Sequence, residues 1–358
     1  MKVLMICTVP LYGNGIATCV RNYATILSKD GIQTHILAPA GVPADVCEQM
    51  EAVGAEVLQL PNRKESLGRY LLGLVGIVRS GGYDVVHIHG NSCTMAIELL
   101  AAKLAGCPAR VAHSHNTSCE HQKAHKLLRP VFELCVNGRV ACGEDAGKWL
   151  FHDKPFQVVK NGIDIDKYAF NETQRKRIRQ KLSIDDDTLL LGHVGNFVPA
   201  KNYDFLLSIA REMESRGHKK WKLLLVGEGP LFEQVRSEKT ANMIFAGAVT
   251  DVFNYMQAMD FFLLPSLHEG LPFVLVEAQA AGLEGLVSDQ VSQESNMTGN
   301  LRFLPIDNVS SWINALPMRE TGDRQQRSAE ACAKLQRSGY DLQSNTDMIR
   351  DYYMNLLG

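Results

Sequence analysis

Several common architectures are excluded by what this 358-residue sequence lacks. No stretch approaches the roughly 20 consecutive apolar residues that a membrane-spanning helix needs. None of its nine cysteines forms a C-x-x-C pair, so neither a zinc ribbon nor a thioredoxin-like redox motif is present. Lys plus Arg, 37, is nearly cancelled by Asp plus Glu, 39, and no basic excess points to nucleic acid. Proline is sparse at 13 residues, and 46% of the chain is hydrophobic against 21% charged, which excludes a disordered or collagen-like chain. Eight of the cysteines fall before residue 143 without regular spacing; they read as small buried hydrophobes of a reducing compartment. The opening Lys2-Val3-Leu4-Met5-Ile6-Cys7 has no small-residue cleavage site and reads as a first strand rather than a signal peptide. The expected location is cytoplasmic.

What the sequence does contain is alternation. Short runs rich in Val, Ile and Leu recur between longer helical patterns, the signature of an α/β protein with parallel, doubly wound sheets. The expected strands are Val3–Thr8, Thr34–Ala38, Asp84–His89 and Arg110–Ala112, then Leu189–Val194, Lys222–Val226, Met243–Ala246, Asp260–Leu264 and Leu286–Ser288. They form two series. The reading is two facing Rossmann-like domains, residues 1–165 and 166–343, joined through a charged, apolar-poor stretch that ends near Asp187. A terminal helix, 344–358, has Met348, Ile349, Tyr352, Tyr353 and Leu356 at helical spacing and is expected to complete the first domain. Two such domains make a cleft between them, where small ligands usually bind.

Three loops carry candidate chemistry. Gly13-Asn14-Gly15-Ile16-Ala17-Thr18 follows the first strand and opens a helix, offering backbone N–H groups to an anion. It is a broken dinucleotide fingerprint, because Thr18 stands where a third glycine belongs and no acidic residue ends the second strand. Gly227-Glu228-Gly229 is a similar weak signal. Gly195-Asn196-Phe197-Val198-Pro199-Ala200-Lys201-Asn202 places one lysine beside a helix start, with Asn202 positioned to cap it. In Pro265-Ser266-Leu267-His268-Glu269-Gly270-Leu271-Pro272-Phe273-Val274-Leu275-Val276-Glu277-Ala278, Glu269 lies in a loop and Glu277 inside an otherwise apolar helix. A carboxylate there is costly unless hydroxyls or cations satisfy it, which suits recognition of a polyol.

These residues resemble the signature of glycosyltransferase family 4, retaining enzymes of the two-domain GT-B fold. The hallmark is Glu, seven residues, Glu: here Glu269 and Glu277. Matching segments are His87-Ile88-His89-Gly90, Ala112-His113-Ser114-His115-Asn116-Thr117, Ala141-Cys142-Gly143, Asn161-Gly162-Ile163-Asp164 and Lys201-Asn202. The likeness is greatest to bacterial enzymes of capsular and exopolysaccharide assembly. It implies that a sugar passes with retention from a nucleoside-diphosphate sugar, UDP-linked foremost, to a saccharide or lipid-linked saccharide. Glu277 would bind the donor's ribose hydroxyls and Glu269 those of the transferred sugar. Lys201, Asn196, and the amides of Gly15, Gly270, Leu271, Pro272 and Phe273 would frame the diphosphate, where only amides with an N–H can donate. Val249 would contact the base, His115 would sit beside the transferred sugar, and Asn14 and Asn116 would lie on the acceptor side. No metal or other cofactor would be needed. One departure stands out: the family usually has arginine where this chain has Asn196.

Other readings remain open at this point. An epimerase of the same fold, or a donor-binding scaffold subunit without turnover, would use the same pocket. His113, His115, Cys119, His121 and His125 form a tempting metal cluster, but His121 and His125 share a helix face among basic residues and no C-x-x-C pair supports it. The apolar stretch Leu67–Arg79, with Arg63, Lys64, Lys123, Lys126 and Arg129, suggests peripheral contact with an anionic membrane.

Overall fold

The computed structural model describes residues 1–269, 271–316 and 322–358. It contains two compact units, one of residues 1–162 with 341–358 and one of residues 163–340. The first holds seven strands: β1 (Lys2–Cys7), β2 (Gln33–Leu37), β3 (Ala55–Leu58), β4 (Val85–Gly90), β5 (Ala109–Ser114), β6 (Gly138–Ala141) and β7 (Gln157–Val158). The second holds β8 (Leu189–Val194), β9 (Trp221–Val226), β10 (Met243–Gly247), β11 (Phe261–Leu264), β12 (Glu284–Ser288) and β13 (Leu301–Leu304).

Both sheets are parallel and wound the same way. Their orders are β3-β2-β1-β4-β5-β6-β7 and β10-β9-β8-β11-β12-β13. Each reverses direction next to its first strand, between β1 and β4 and between β8 and β11. In open α/β sheets that switch point is where the strand ends leave a ligand crevice. The central strands are buried end to end (Val3 through Cys7 and Leu190 through Leu191 are wholly inaccessible), which is why they read as continuous apolar runs. The terminal helix Leu342–Leu357 packs on the first unit. Tyr352 Oη accepts from the Arg139 amide at 2.8 Å, and Tyr353 lies buried against His87.

Two expectations are corrected here. The charged stretch before Asp187 is not a connector: residues 172–181 form a helix, Glu172–Lys181, inside the second unit. Its Arg175 and Arg179 both pair with the buried Asp260 at the head of β11, Arg179 Nη1 lying 3.2 Å from Oδ2. Asp260 Oδ2 also accepts from the Leu190 amide, so this charge cluster fastens the helix to the sheet. Asn202 does not cap the helix Tyr203–Ser215 with its side chain; its backbone is left-handed, φ 55°, a conformation that Asn tolerates better than most residues.

Candidate functional site

The expected site residues fall in two sets, one in each unit. In the second unit, β8 ends at Val194, and the loop that begins at Gly195 closes in a short 3-10 turn, Pro199–Lys201. The loop is held by its neighbours' backbone. Gly195 N donates to Val226 O, Phe197 N to Glu228 O, and Leu231 N to Phe197 O. Such close approach needs glycine: a Cβ at Gly227 (φ 135°) would sit 2.1 Å from Gly195 O, and one at Gly229 (φ 155°) 2.7 Å from Phe197 O. Below the loop, Phe197 stacks on Tyr203 at 3.9 Å, and Tyr203 Oη donates to Gly195 O at 2.8 Å.

This brace sets the position of Lys201. Its Nζ lies 2.5 Å from Glu269 Oε1, and both side chains keep limited solvent access. Glu269 is itself placed by two backbone ties: Leu267 N donates to Ala200 O, and Ser292 N to Glu269 O. A cation and a carboxylate therefore meet at the C-terminal ends of β8 and β11, at the sheet's switch point.

Glu277 lies one helix further on. Pro272 precedes the helix Phe273–Ala280 at its N-cap, with φ −70°. Most of that helix is buried, and burial pushes the Glu277 carboxyl up to about 7, opposed by the Tyr168 hydroxyl and by Lys167. Tyr168 Oη donates to Glu277 Oε1 at 2.9 Å. Leu271 and Phe273 pack partly buried on the cluster of Ile163, Val276 and Tyr340, and Val249 packs on that of Val226 and Met256. Gly270 lies outside the described residues.

In the first unit, Gly15 is the first residue of the helix Gly15–Lys29. Asn14 caps it, accepting from the Ala17 amide at 2.9 Å and donating to Pro10 O and Tyr12 O. Its side chain thus shapes the loop. His115 follows β5 directly, its Nε2 3.0 Å from His89 Nδ1, and desolvation pushes its pKa down to about 3, which keeps the ring neutral. Asn116 is exposed and accepts from the Thr117 amide.

The five residues His113, His115, Cys119, His121 and His125 do not assemble as one cluster: His113 and His115 lie with His89 and Cys19 instead. His125 Nδ1 faces the Cys93 amide, its Nε2 faces Arg129, and its ring packs on Trp149 at 4.8 Å. The sequence also gave no sign of Tyr168, 109 positions from the carboxylate it serves, although a tyrosine beside the Asn161-Gly162-Ile163-Asp164 segment was open to inspection.

Comparison with known proteins bears on the family and the fold. Residues 188–317 match the family model described as glycosyl transferases group 1, and residues 14–146 match the glycosyl transferase 4-like domain. The chain is 31% identical over 361 residues to the putative glycosyltransferase EpsF of Bacillus subtilis, covering 95% of this chain and 93% of the relative. It is 27% identical over 309 residues to the UDP-Gal:α-D-GlcNAc-diphosphoundecaprenol α-1,3-galactosyltransferase of Escherichia coli, covering 80% and 79%. Among solved structures, HepE of Anabaena in complex with UDP-glucose superposes with a TM-score of 0.77 at 17% identity, covering 99% of this chain and all of that one, a likeness of fold.

Proposed function

This chain belongs to the group 1 glycosyltransferases with a glycosyl transferase 4-like N-terminal domain, and from that premise we propose a retaining transfer from a nucleoside-diphosphate sugar to a saccharide or lipid-linked saccharide in bacterial surface polysaccharide synthesis. The observation that carries the proposal is the second unit's strand-end constellation: Lys201 against Glu269, with the raised carboxyl of Glu277 beside Tyr168. The names of the E. coli relative and of the Anabaena complex favour a UDP-sugar.

The division of roles is the one that the family resemblance implies. Glu277 accepts hydrogen bonds from the ribose hydroxyls, and Val249 lies against the base. Glu269 accepts from hydroxyls of the transferred sugar. Lys201 and Asn196 face the diphosphate, with the amides of Leu271 and Phe273, while Pro272 starts the helix behind them. With these donors the leaving group needs no divalent ion. His115, neutral, donates or accepts at the sugar, and Asn14 and Asn116 lie toward the acceptor. In the step itself the bond from anomeric carbon to phosphate oxygen breaks, the acceptor oxygen bonds to the same face, and the departing phosphate takes the acceptor's proton.

A lipid-linked acceptor fits a second feature. No helix among the described residues is long and apolar enough to cross a membrane. Yet Leu67 and Leu72 on the helix Leu67–Gly81 and Leu127 on the helix Gln122–Cys135 are exposed, beside exposed Lys64, Arg69, Lys123 and Lys126. This face rests on the anionic inner surface of the membrane. Arg63 and Arg129 take no part, since Arg63 pairs with Glu98 and Arg129 bonds Leu150 O.

The test is a thermal-shift panel of UDP, GDP, ADP, CMP and UDP-sugars, with and without EDTA, followed by transfer assays. A ligand at about 100 times its dissociation constant stabilises the fold by roughly 2.7 kcal/mol. The expected result is one responding nucleotide class, indifferent to EDTA, and a response in Lys201→Ala weakened by roughly one to two decades, the loss of one charge-assisted contact of about 1.5–3 kcal/mol. A folded sample silent to every nucleotide overturns the proposal. Donor consumed to an isomer without free nucleotide would mean epimerisation, and binding without turnover a scaffold subunit.

A further inference from the structure

Strand β4 carries His87-Ile88-His89 and strand β5 carries His113-Ser114-His115. Side chains alternate faces along a strand, so each pair of histidines shares a face. The parallel register sets His89 beside His113. The rings consequently stack: His87 on His113 at 5.3 Å, His89 near His113 at 5.0 Å and His113 on His115 at 4.1 Å. Cys19, from the helix Gly15–Lys29, closes the group. One donor atom from each of Cys19, His89, His113 and His115 lies within 4.8 Å of all the others.

The hydrogen bonds of this cluster do not close. His89 and His113 are wholly inaccessible to solvent, yet His89 Nε2 and both ring nitrogens of His113 have no partner among the described residues. A buried polar group left unsatisfied is costly, so His89 Nε2 and the two nitrogens of His113 are an expensive way to fill a core. Valine or leucine would fill it without that cost. Neutral imidazoles with a thiolate are, however, the donor set of soft and borderline d10 ions.

We propose that Cys19, His89, His113 and His115 bind a single d10 metal ion, Zn2+ or Cu+, within the first unit. Tetrahedral bonds of about 2.0–2.1 Å to nitrogen and about 2.3 Å to sulfur put donor atoms roughly 3.3–3.8 Å apart. The 3.0 Å gap between His89 Nδ1 and His115 Nε2 then opens slightly as the ion displaces the proton they share, while the wider gaps contract. That proton moves to the other nitrogen of the ring that carried it, so both rings stay neutral. Cys19 binds as thiolate and its proton passes to solvent. His87 holds the arrangement from behind, with its ring 4.1 Å from His89 and its Nδ1 2.5 Å from Tyr353 Oη, the kind of outer contact that orients metal-binding rings. One thiolate leaves a Zn2+ centre with a net positive charge and a Cu+ centre neutral, so the two ions are separate arms of the test.

The full chain, purified under reducing conditions, is loaded with Zn2+ or, anaerobically, with Cu+, desalted, and its metal measured by elemental analysis. Co2+ serves as an optical probe of thiolate ligation. The expected result is one ion per chain, a thiolate-to-cobalt charge-transfer band, and affinity lowered on the order of tenfold to a hundredfold or more in Cys19→Ala and in His113→Asn, with the band gone in Cys19→Ala. Cys19→Ala is the variant least disruptive to the core, and a cooperative melt confirms its fold. A folded wild type that retains neither ion overturns the proposal, as does metal content unchanged in both variants. These readings are independent of nucleotide: metal uptake without a donor response defeats only the donor assignment, and a donor response without metal uptake defeats only the metal site.

Discussion

The two units use one scaffold for opposite electrostatics. Each winds its parallel sheet outward from its first strand and presents loops at the same switch point. In the first unit, the ends of β4 and β5 hold neutral imidazoles buried against one another. In the second, the ends of β8 and β11 hold a lysine and a carboxylate in contact, with a second carboxylate on the following helix. The loops after the first strands differ too. Asn14 shapes one through side-chain hydrogen bonds, whereas Gly227 and Gly229 shape the other by letting backbone lie on backbone. A shared topology fixes where a ligand can sit; the residues at the strand ends decide which ligand.

The largest predicted effect breaks the brace of the second unit. In Gly227→Ala the new Cβ meets Gly195 O at 2.1 Å, and the residue keeps a φ of 135° that alanine strongly disfavours. Expected is a loss of about 3 kcal/mol or more in denaturant unfolding, with the nucleotide response abolished because the loop carrying Lys201 must shift. A control in the first unit, Gly143→Ala at the N-cap of the helix Glu144–Phe151, adds a Cβ with nothing within 4 Å and should cost only the loss of a favourable cap residue, about 1 kcal/mol or less. Equal effects at the two positions would remove the contrast between the loops.

The sequence made much of this legible, for reasons that also explain its limits. Central strands such as β1 and β8 are buried on both faces and read as apolar runs. Four strands at or next to a sheet edge escaped: β6, Gly138-Arg139-Val140-Ala141, and the two-residue β7 carry no such run, and β3 and β13 are four residues each. The candidate loops were found because glycine, lysine and glutamate cluster locally in the chain. What joins them is non-local. Lys201 and Glu269 are 68 positions apart, and nothing in the sequence pairs them. The helix Glu172–Lys181 showed in the sequence only as a charged, apolar-poor stretch, because its charges are visible there and the Asp260 that pairs with two of its arginines is distant in the chain. The histidine stack was half visible: each His-x-His pair could be seen, but the register that aligns them, and Cys19 facing them, belong to the sheet.

A pH titration sharpens the comparison at intermediate size. Glu277 rises from an ordinary value near 4.5 to about 7 on folding. Below pH 4.5 the carboxyl is protonated in both states, and its preference for burial as the neutral acid favours the fold in full. As pH rises from 4.5 through 7, the unfolded chain ionises first and that contribution is lost, on the order of 3 kcal/mol at most. Glu277→Gln should flatten this part of the stability profile. Under the proposed role, donor affinity should move the other way and strengthen as the carboxylate forms. A wild-type profile identical to that of Glu277→Gln between pH 4.5 and 7 would contradict the raised pKa.

The smallest effect separates a hydrogen bond to an ionising group from one to a neutral group. Tyr168 donates to Glu277 Oε1, and this bond favours the carboxylate, so Tyr168→Phe should raise the pKa of Glu277 further above 7 and cost about 1 kcal/mol. Tyr353→Phe is the same deletion in the first unit, where the hydroxyl meets His87 in a buried neutral pair. Its cost should be similar, about 1 kcal/mol for one neutral bond, but should not vary across the window in which Glu277 titrates. Unfolding curves of the two variants from pH 5 to 8 should therefore run parallel to wild type for Tyr353→Phe and shift along the pH axis for Tyr168→Phe. If both ran parallel, the Tyr168 hydroxyl would be packing rather than tuning, and the carboxyl's elevation would be a matter of desolvation alone.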